Sequence, residues 1–393
     1  MKTHTFDMKI ACTVLVLAVL SIEPVVQALP PDPDNAALLY YQAFISLPKG
    51  QDQVQVQTLE LADGAAPNGV VRGYLKQCQP AIDLAVAATR IQACNWGLRY
   101  SQGFQMPMVH CSQLRVLAKL MKASAACLAA DGQYRQALER GLAIRRIARH
   151  VGDENLISFL VGTALVAVAD KSIQDTLGVM PPDSQTLTWL KGELAADPAR
   201  PLEVRNSLKI EQEIILTKAT ADSNQLLQAI TASKEGVSAE VIDQIKKGDA
   251  AFFEGSRRYF KAFMDKVTAA FDSQVPYSQK LSQLEELDKQ PGLDAKQNPH
   301  SLVTVALMPG MAKLLSLETK ARSSHKLLQA AVEIYLAKAA TGALPDQVPA
   351  AAPKDPFNGQ DFTYEKTKEG FSLSRWTDKS KKDPNYQFTF KVR

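Results

Sequence analysis

His110, His150 and Glu154 are the side chains of this chain best suited by type and spacing to chemistry. Imidazole titrates near neutrality, so it can carry a proton or hold a metal ion. His150 and Glu154 stand four residues apart and would share one face of a helix that continued past Gly152, while His110 opens a neighbouring helical stretch. Such a trio could supply an acid/base pair for hydrolysis or part of a metal site. The competing explanation is electrostatic: a histidine in the last turn before Gly152 complements a helix C-terminus, and Asp153 with Glu154 suits the N-terminus of the next helix. The chain has no HExxH, CxxC, GxSxG, Walker A or GxGxxG pattern, so no catalytic motif, cofactor or metal is implied.

Cysteine is the second chemistry-bearing residue. Cys12 lies in an N-terminal leader, which leaves Cys78, Cys94, Cys111 and Cys127. An even count outside the cytoplasm favours disulfides, and four cysteines permit three connectivities. The pairs Cys78–Cys127 and Cys94–Cys111 share a midpoint beside Gly103, as two nested bridges across a helical hairpin would. Sixteen residues of straight helix rotate by about 160°, which places Cys78 and Cys94 on opposite faces, so one pair needs a break. Pro80 and the loop-like Cys94-Asn95-Trp96-Gly97 are candidates for it. Four buried reduced thiols are the alternative.

Three other groups invite a functional reading. Arg135, Arg140, Arg145, Arg146 and Arg149 could bind an anionic polymer or headgroup, or could form an ordinary solvated face. Phe252, Phe253, Tyr259, Phe260 and Phe263, set among basic residues, suit either a membrane surface or packing against neighbouring helices. Asp355 with Asn358 and Gly359 reads as a turn, with a calcium loop as the rarer possibility.

The elements that must position these residues are mostly helices. An amphipathic helix begins at Asp34 or Asn35 and ends at Pro48-Lys49-Gly50; residues 51–69 are polar and turn-rich. Helical stretches follow on both sides of a turn running from Gln102-Gly103 to Pro107. From Cys111 three helices succeed one another across Asp131-Gly132 and Gly152-Asp153, breaks short enough to make them antiparallel neighbours. Another runs from Pro181-Pro182-Asp183 to Asp197-Pro198. Residues 202–290 are helical but more polar, with softer breaks near Gly236 and Gly248; Pro291 to Pro299 reads as loop, and Pro309-Gly310 as a stop. A long helix spans Met311 to about Ala340 and closes at Thr341-Gly342. Beyond a proline-rich linker, DFTYEK, EGFSLSRW and YQFTFKV alternate with period two, the first two joined through Lys368-Glu369-Gly370. So small a sheet must lean on the helices.

Length and composition bound the rest. A chain of 393 residues with 46% hydrophobic and 22% charged side chains is globular and can bury a sizeable core. A formal charge of +4, from 45 basic and 41 acidic side chains, is too balanced to imply a nucleic-acid partner. Lys2 and Lys9 precede an apolar run from Ile10 to Ile22, then Val26-Gln27-Ala28, the pattern of a signal peptide cleaved after Ala28. A start at Met8 would yield the same mature chain. The run is shorter than the roughly 20 residues that span a bilayer, and Cys12 begins it where a lipoprotein cysteine would end it. No transmembrane span is expected after cleavage.

The segment DGQYRQAL, with Ala125 on the helix before it and Gly132, Tyr134 and Ala137 within it, resembles one degenerate tetratricopeptide unit; no such set recurs 34 residues later. More broadly, NAALLYYQAFISLP, CNWGLRYSQGFQMPMVHCSQLRVLAKL, GLAIRRIARHVGDENLISFLVGTAL and DPFNGQDFTYEKTKEGFSL resemble an uncharacterised family of exported helical bacterial proteins. That resemblance implies export but brings no activity. The tail is also similar to the C-terminal ends of pseudopilin-like proteins of type II secretion, where a DPxG turn precedes a hairpin. The prepilin leader is missing, and WTDKSKKDPN replaces the acidic, glycine-rich ending that binds calcium there.

The expected fold is all-α, an irregular stack of antiparallel helical hairpins with a small C-terminal antiparallel β element. The expected layout is a signal peptide (1–28), an N-terminal helical domain (29–196), a second helical region (197–340) and a linker with a β tail (341–393). The expected function is a non-enzymatic periplasmic or cell-surface interaction scaffold for an envelope protein or peptide, in a chain that is periplasmic or secreted. The alternative is an envelope hydrolase built on His110, His150 and nearby carboxylates.

Overall fold

A computed structural model describes residues 32–49, 67–152, 154–196, 202–219, 224, 239–308, 310–376 and 387–392. The leader, the 51–66 segment, Asp153, the Asp197-Pro198 stop, the Gly236 break and Pro309 lie outside them. The chain divides into Met1–Asp34, of which only 32–34 are described, and Asn35–Arg393, to which everything below refers.

Side-chain caps start several of the helices. Asn35 accepts from the Ala37 amide at 3.2 Å and opens α1 (Ala36–Ile45); Asn68 accepts from Val71 at 2.9 Å and opens α2 (Gly69–Ala88). After a short 3-10 turn (Tyr100–Gln105), in which Gly103 adopts φ +55°, come α3 (Val109–Ala130), α4 (Tyr134–Gly152) and α5 (Leu156–Val179). Asn155 caps α5 by accepting from Ser158 at 2.9 Å. The second half holds α6 (Ser184–Ala196), α7 (Val204–Ile214, passing into a π turn at Ile215–Ala219), α8 (Ala239–Lys246), α9 (Ala250–Asp272), α10 (Tyr277–Asp294), α11 (Leu302–Leu307) and α12 (Met311–Thr341). Gly342, at φ +82°, closes α12 in the left-handed conformation that a side chain would strain.

Two prolines expected to interrupt helices do not. Pro80 lies inside α2 and Pro291 inside α10, which runs on to Asp294 where a loop was expected. In α2 the apolar face continues across the proline through Cys78, Ala81, Ile82 and Ala85, all buried. That burial outweighs the roughly 3 kcal/mol a mid-helix proline costs.

The helices α4 and α5 form an antiparallel hairpin with glycine contacts at both ends. A β-carbon on Gly162 would meet the Ala148 carbonyl oxygen at 2.9 Å and the Gly152 Cα at 3.1 Å, and one on Gly141 would meet Ile173 Cγ1 at 2.6 Å. The first hydrophobic core joins α1–α5 to α9 and the start of α12 around Tyr40, Leu114, Leu117, Phe159, Phe260 and Leu314. The second lies between α5, α6, the C-terminal half of α12 and the sheet, around Ile173, Leu190, Leu327, Ile334 and Phe371. Helix α12 serves both.

The expected β tail is present as a three-stranded antiparallel sheet, β1 (Thr363–Thr367), β2 (Gly370–Ser374) and β3 (Gln387–Lys391), in that spatial order. Phe371 pairs with Phe390 across β2 and β3, their rings stacked at 5.0 Å. The sheet leans on the helices as its size requires: the Tyr335 hydroxyl donates to the Lys391 carbonyl at 2.5 Å and the Gln174 amide to Thr389 at 2.6 Å. Asp355 is a structural turn residue. Buried, it accepts from Ser323 of α12 (2.8 Å), the Phe357 amide (3.2 Å) and the Trp376 amide (2.6 Å), so donors occupy both carboxylate oxygens that a calcium ion would need.

Candidate functional site

His110 and His150 meet at one aromatic cluster, and Trp96 is its centre. Trp96 comes from the loop after α2, which is clasped to α1 by backbone and amide hydrogen bonds. The Ala36 amide donates to the Ala93 carbonyl (2.9 Å), the Asn35 amide group to the Asn95 carbonyl (3.0 Å), and the Asn95 backbone N–H to Asn35 Oδ1 (2.9 Å). Thus held, the Trp96 ring stacks on His110 at 4.6 Å between centroids and on Tyr40 at 5.4 Å. Its Nε1–H donates to the His150 carbonyl at 2.7 Å, satisfying one of the last carbonyls of α4. The Tyr40 hydroxyl and His150 Nδ1 are 2.9 Å apart, and Tyr41 donates to the Trp96 carbonyl at 3.1 Å.

Burial sets the protonation of this cluster. His110 is 2% exposed, and desolvation lowers its pKa to about 4. His150 is lowered to about 4 as well, by burial first and the neighbouring Arg149 second, against a backbone hydrogen bond at Ile91. Both rings are therefore neutral at physiological pH. A neutral His150 that accepts the Tyr40 hydroxyl at Nδ1 keeps its proton on Nε2. Cys94, also at this corner, is pushed up to about 12 by burial and then by the Glu154 carboxylate, so it stays a thiol. Cys111 lies 3.6 Å from His110 Nε2, and burial raises it too. No thiolate or charged imidazole is left among Cys94, Cys111, His110 and His150 as a nucleophile or as an acid at neutral pH.

Glu154 does not join the histidines on one helical face. Helix α4 ends at Gly152, and the Glu154 carboxylate beyond it takes the hydroxyl of Tyr100, whose pKa is raised by burial and then by that carboxylate. Among the described residues no three His, Cys, Asp or Glu side chains are gathered to hold a metal ion.

The nested disulfides are corrected: all four cysteines are free thiols, three buried and Cys94 half-buried. Cys78 is held by Tyr74 inside an unbroken α2, Cys94 by the Ala37 backbone, Cys111 beside Ser158, and Cys127 beside Arg72 and Asp131. Pro80 makes no break in α2, while Cys94 does lie in a loop beyond the end of that helix.

The arginines of α4 are engaged within the fold. Arg145 pairs with Asp170 and reaches His325 Nδ1 at 2.8 Å; Arg146 bridges Glu139 (3.0 Å) and Glu193 (2.7 Å); Arg140 lies 3.7 Å from Asp83; and Arg135 covers the Trp189 ring at 4.7 Å. Arg140, Arg145 and Arg146 thus serve the fold, while Arg135 is exposed over the Trp189 ring. In α9, Phe260 and Phe263 are buried with Met264, Val267 and Phe271, so that stripe is core.

A groove that sequence reasoning did not single out lies between α9 and α10. Lys266, Ala269, Ala270 and Ser273 form one wall, and Gln283, Glu286, Leu287 and Gln290 the other, around about 580 Å³. Its signal in the sequence is faint: small residues near the end of one helix and amides at helical spacing on the next.

These features define a helical protein with a small sheet, a buried imidazole–indole cluster and an open groove. Comparison with family models finds no match, and comparisons with curated proteins and with solved structures return none at the significance required.

Proposed function

We propose that this chain is an exported envelope protein without catalytic activity, which holds a peptide or protein partner along the groove between α9 and α10. The observation that carries the reading is the groove itself. It is an open groove of about 580 Å³ along two helices, suited to an extended segment more than to an enclosed small molecule. Ala269, Ala270 and Leu287 line it with apolar surface, and Gln283, Gln290, Lys266 and Glu286 offer side-chain hydrogen bonds, the mixture that accepts an amphipathic segment. Export is supported by the leader Ile10–Ile22 and its small-residue cleavage pattern. The hydrolase alternative loses support because His110 is sealed under Trp96 and both imidazoles sit well below the pKa of an efficient base at pH 7.

The test is retention of proteins from an envelope extract by the tagged chain and by Ala269→Trp, which fills the groove from an exposed position. The expected result is a partner, identified by mass spectrometry, that the wild type retains and the variant releases. Equal retention by both, or none by the wild type, would sink the groove reading. Hydrolysis of an envelope substrate that disappears in His110→Gln would replace it with an enzymatic one.

A further inference from the structure

Eleven large hydrophobic side chains are exposed among the described residues, and seven of them stand at one corner of the molecule. Leu38, Tyr41 and Ile45 follow one face of α1, with Ile45 77% exposed. Tyr100 and Val109 flank the start of α3, and Ile157 and Leu160 lie on the first turns of α5. Contacts already described tie these elements together: Tyr41 packs against Trp96, Trp96 against His110, and Tyr100 bonds Glu154. Asn155, the cap of α5, reaches Met108 at the foot of α3.

The exposed charge around this corner is mostly positive. Residues 84–130 contain no Asp or Glu but carry Arg90, Arg99, Arg115, Lys119 and Lys122. Arg90, Arg99 and Arg115 are exposed, as is Lys49 after α1. Of the carboxylates here, Glu154 is bonded to Tyr100 and half-buried Glu211 accepts from the Leu156 backbone; Asp32 and Asp34 precede α1 in the sequence.

We infer that this corner docks onto the surface of an anionic lipid bilayer. Exposed Leu, Ile and Val side chains can enter the boundary between headgroups and acyl chains. Tyr41 and Tyr100 suit the headgroup level, and the arginines and Lys49 meet lipid phosphates. An apolar patch with a cationic rim fits that chemistry better than it fits a second copy of itself, whose like charges would face each other. The inference is independent of the groove on α9 and α10.

The experiment uses the chain begun at Leu29, so that the run Ile10–Ile22 cannot itself bind lipid. It is sedimented with vesicles of phosphatidylcholine, or of phosphatidylcholine and phosphatidylglycerol in equal parts. Pelleting with the anionic vesicles alone is expected, weakening as salt is added. Ile45→Asp should lower the vesicle affinity by about tenfold or more, the loss expected when an inserted aliphatic side chain is replaced by a charge. Leu293→Asp, at an exposed site on α10, should bind like the wild type. Circular dichroism checks that each variant is folded. The inference is overturned if the wild type ignores anionic vesicles, if folded Ile45→Asp binds equally well, or if light scattering finds a dimer that Ile45→Asp splits. Capture of an acidic protein by the same face, without vesicle binding, overturns it too.

Discussion

At the scale of the residue, Trp96 does more than any other side chain to join distant parts of the chain. It links α1 through Tyr40 and Tyr41, α3 through His110 and α4 through the His150 carbonyl. Trp96→Phe keeps the stack but leaves that carbonyl without its donor, which should cost about 1–3 kcal/mol. Trp96→Ala should cost about 3–5 kcal/mol. Urea unfolding measures both, and a Trp96→Phe variant as stable as the wild type would mean that the indole N–H contributes nothing. The two histidines also make stability depend on pH. Their pKa values in the fold are about 4, against about 6.5 in an unfolded chain, so between those values the unfolded state binds more protons. Their contribution is whole above about pH 6.5, falls as pH drops toward 4 and is level below. The loss approaches about 3 kcal/mol for each ring, less for half-buried His150. In His110→Gln the dependence of unfolding free energy on pH over this window should flatten by about half; an unchanged slope would show that His110 is not the titrating group.

At the scale of the element, the α4–α5 hairpin is set by glycine. Gly162 faces the Ala148 carbonyl and Gly152, backbone groups that cannot move aside as a side chain can. Gly162→Ala should therefore destabilise by about 1–3 kcal/mol despite alanine's better helix propensity. Gly192→Ala, where a β-carbon meets nothing within 4 Å, should stabilise by up to about 1 kcal/mol. Thermal melts of the two variants check the contrast, and a rise in Tm for Gly162→Ala as well would refute close backbone approach. Much at this scale was legible in advance. The breaks at Gly132, Gly248 and Gly342 and the hairpin turn at Lys368-Glu369 follow from turn chemistry and the switch from helical to alternating apolar period. Pro80 and Pro291 misled because a local penalty was judged without the tertiary burial that overrides it.

At the scale of the whole molecule, Arg145, Asp170 and His325 tie α4, α5 and α12 together, and α12 runs through both hydrophobic cores. Arg145 is 8% exposed and Asp170 4%, so removing one charge strands the other away from water. Asp170→Ala should cost about 3–5 kcal/mol, whereas replacing the pair together by apolar residues of similar volume should cost far less. A double-mutant cycle at constant pH measures the difference, and additive losses would show that the charges do not depend on each other.

By itself the sequence determined the mostly helical class, the order of the elements and the C-terminal sheet, because periodicity, caps and turn residues act over a few neighbours. His110 and His150 could be picked out by type, and even their convergence was open to test. Only the tertiary structure decided that they meet around Trp96 as neutral rings, His110 sealed and His150 half-buried, that the four cysteines are free thiols, and that Arg140, Arg145 and Arg146 of α4 pair within the fold. Protonation, pairing and exposure depend on what burial brings together across fifty or more residues, and no local pattern records that.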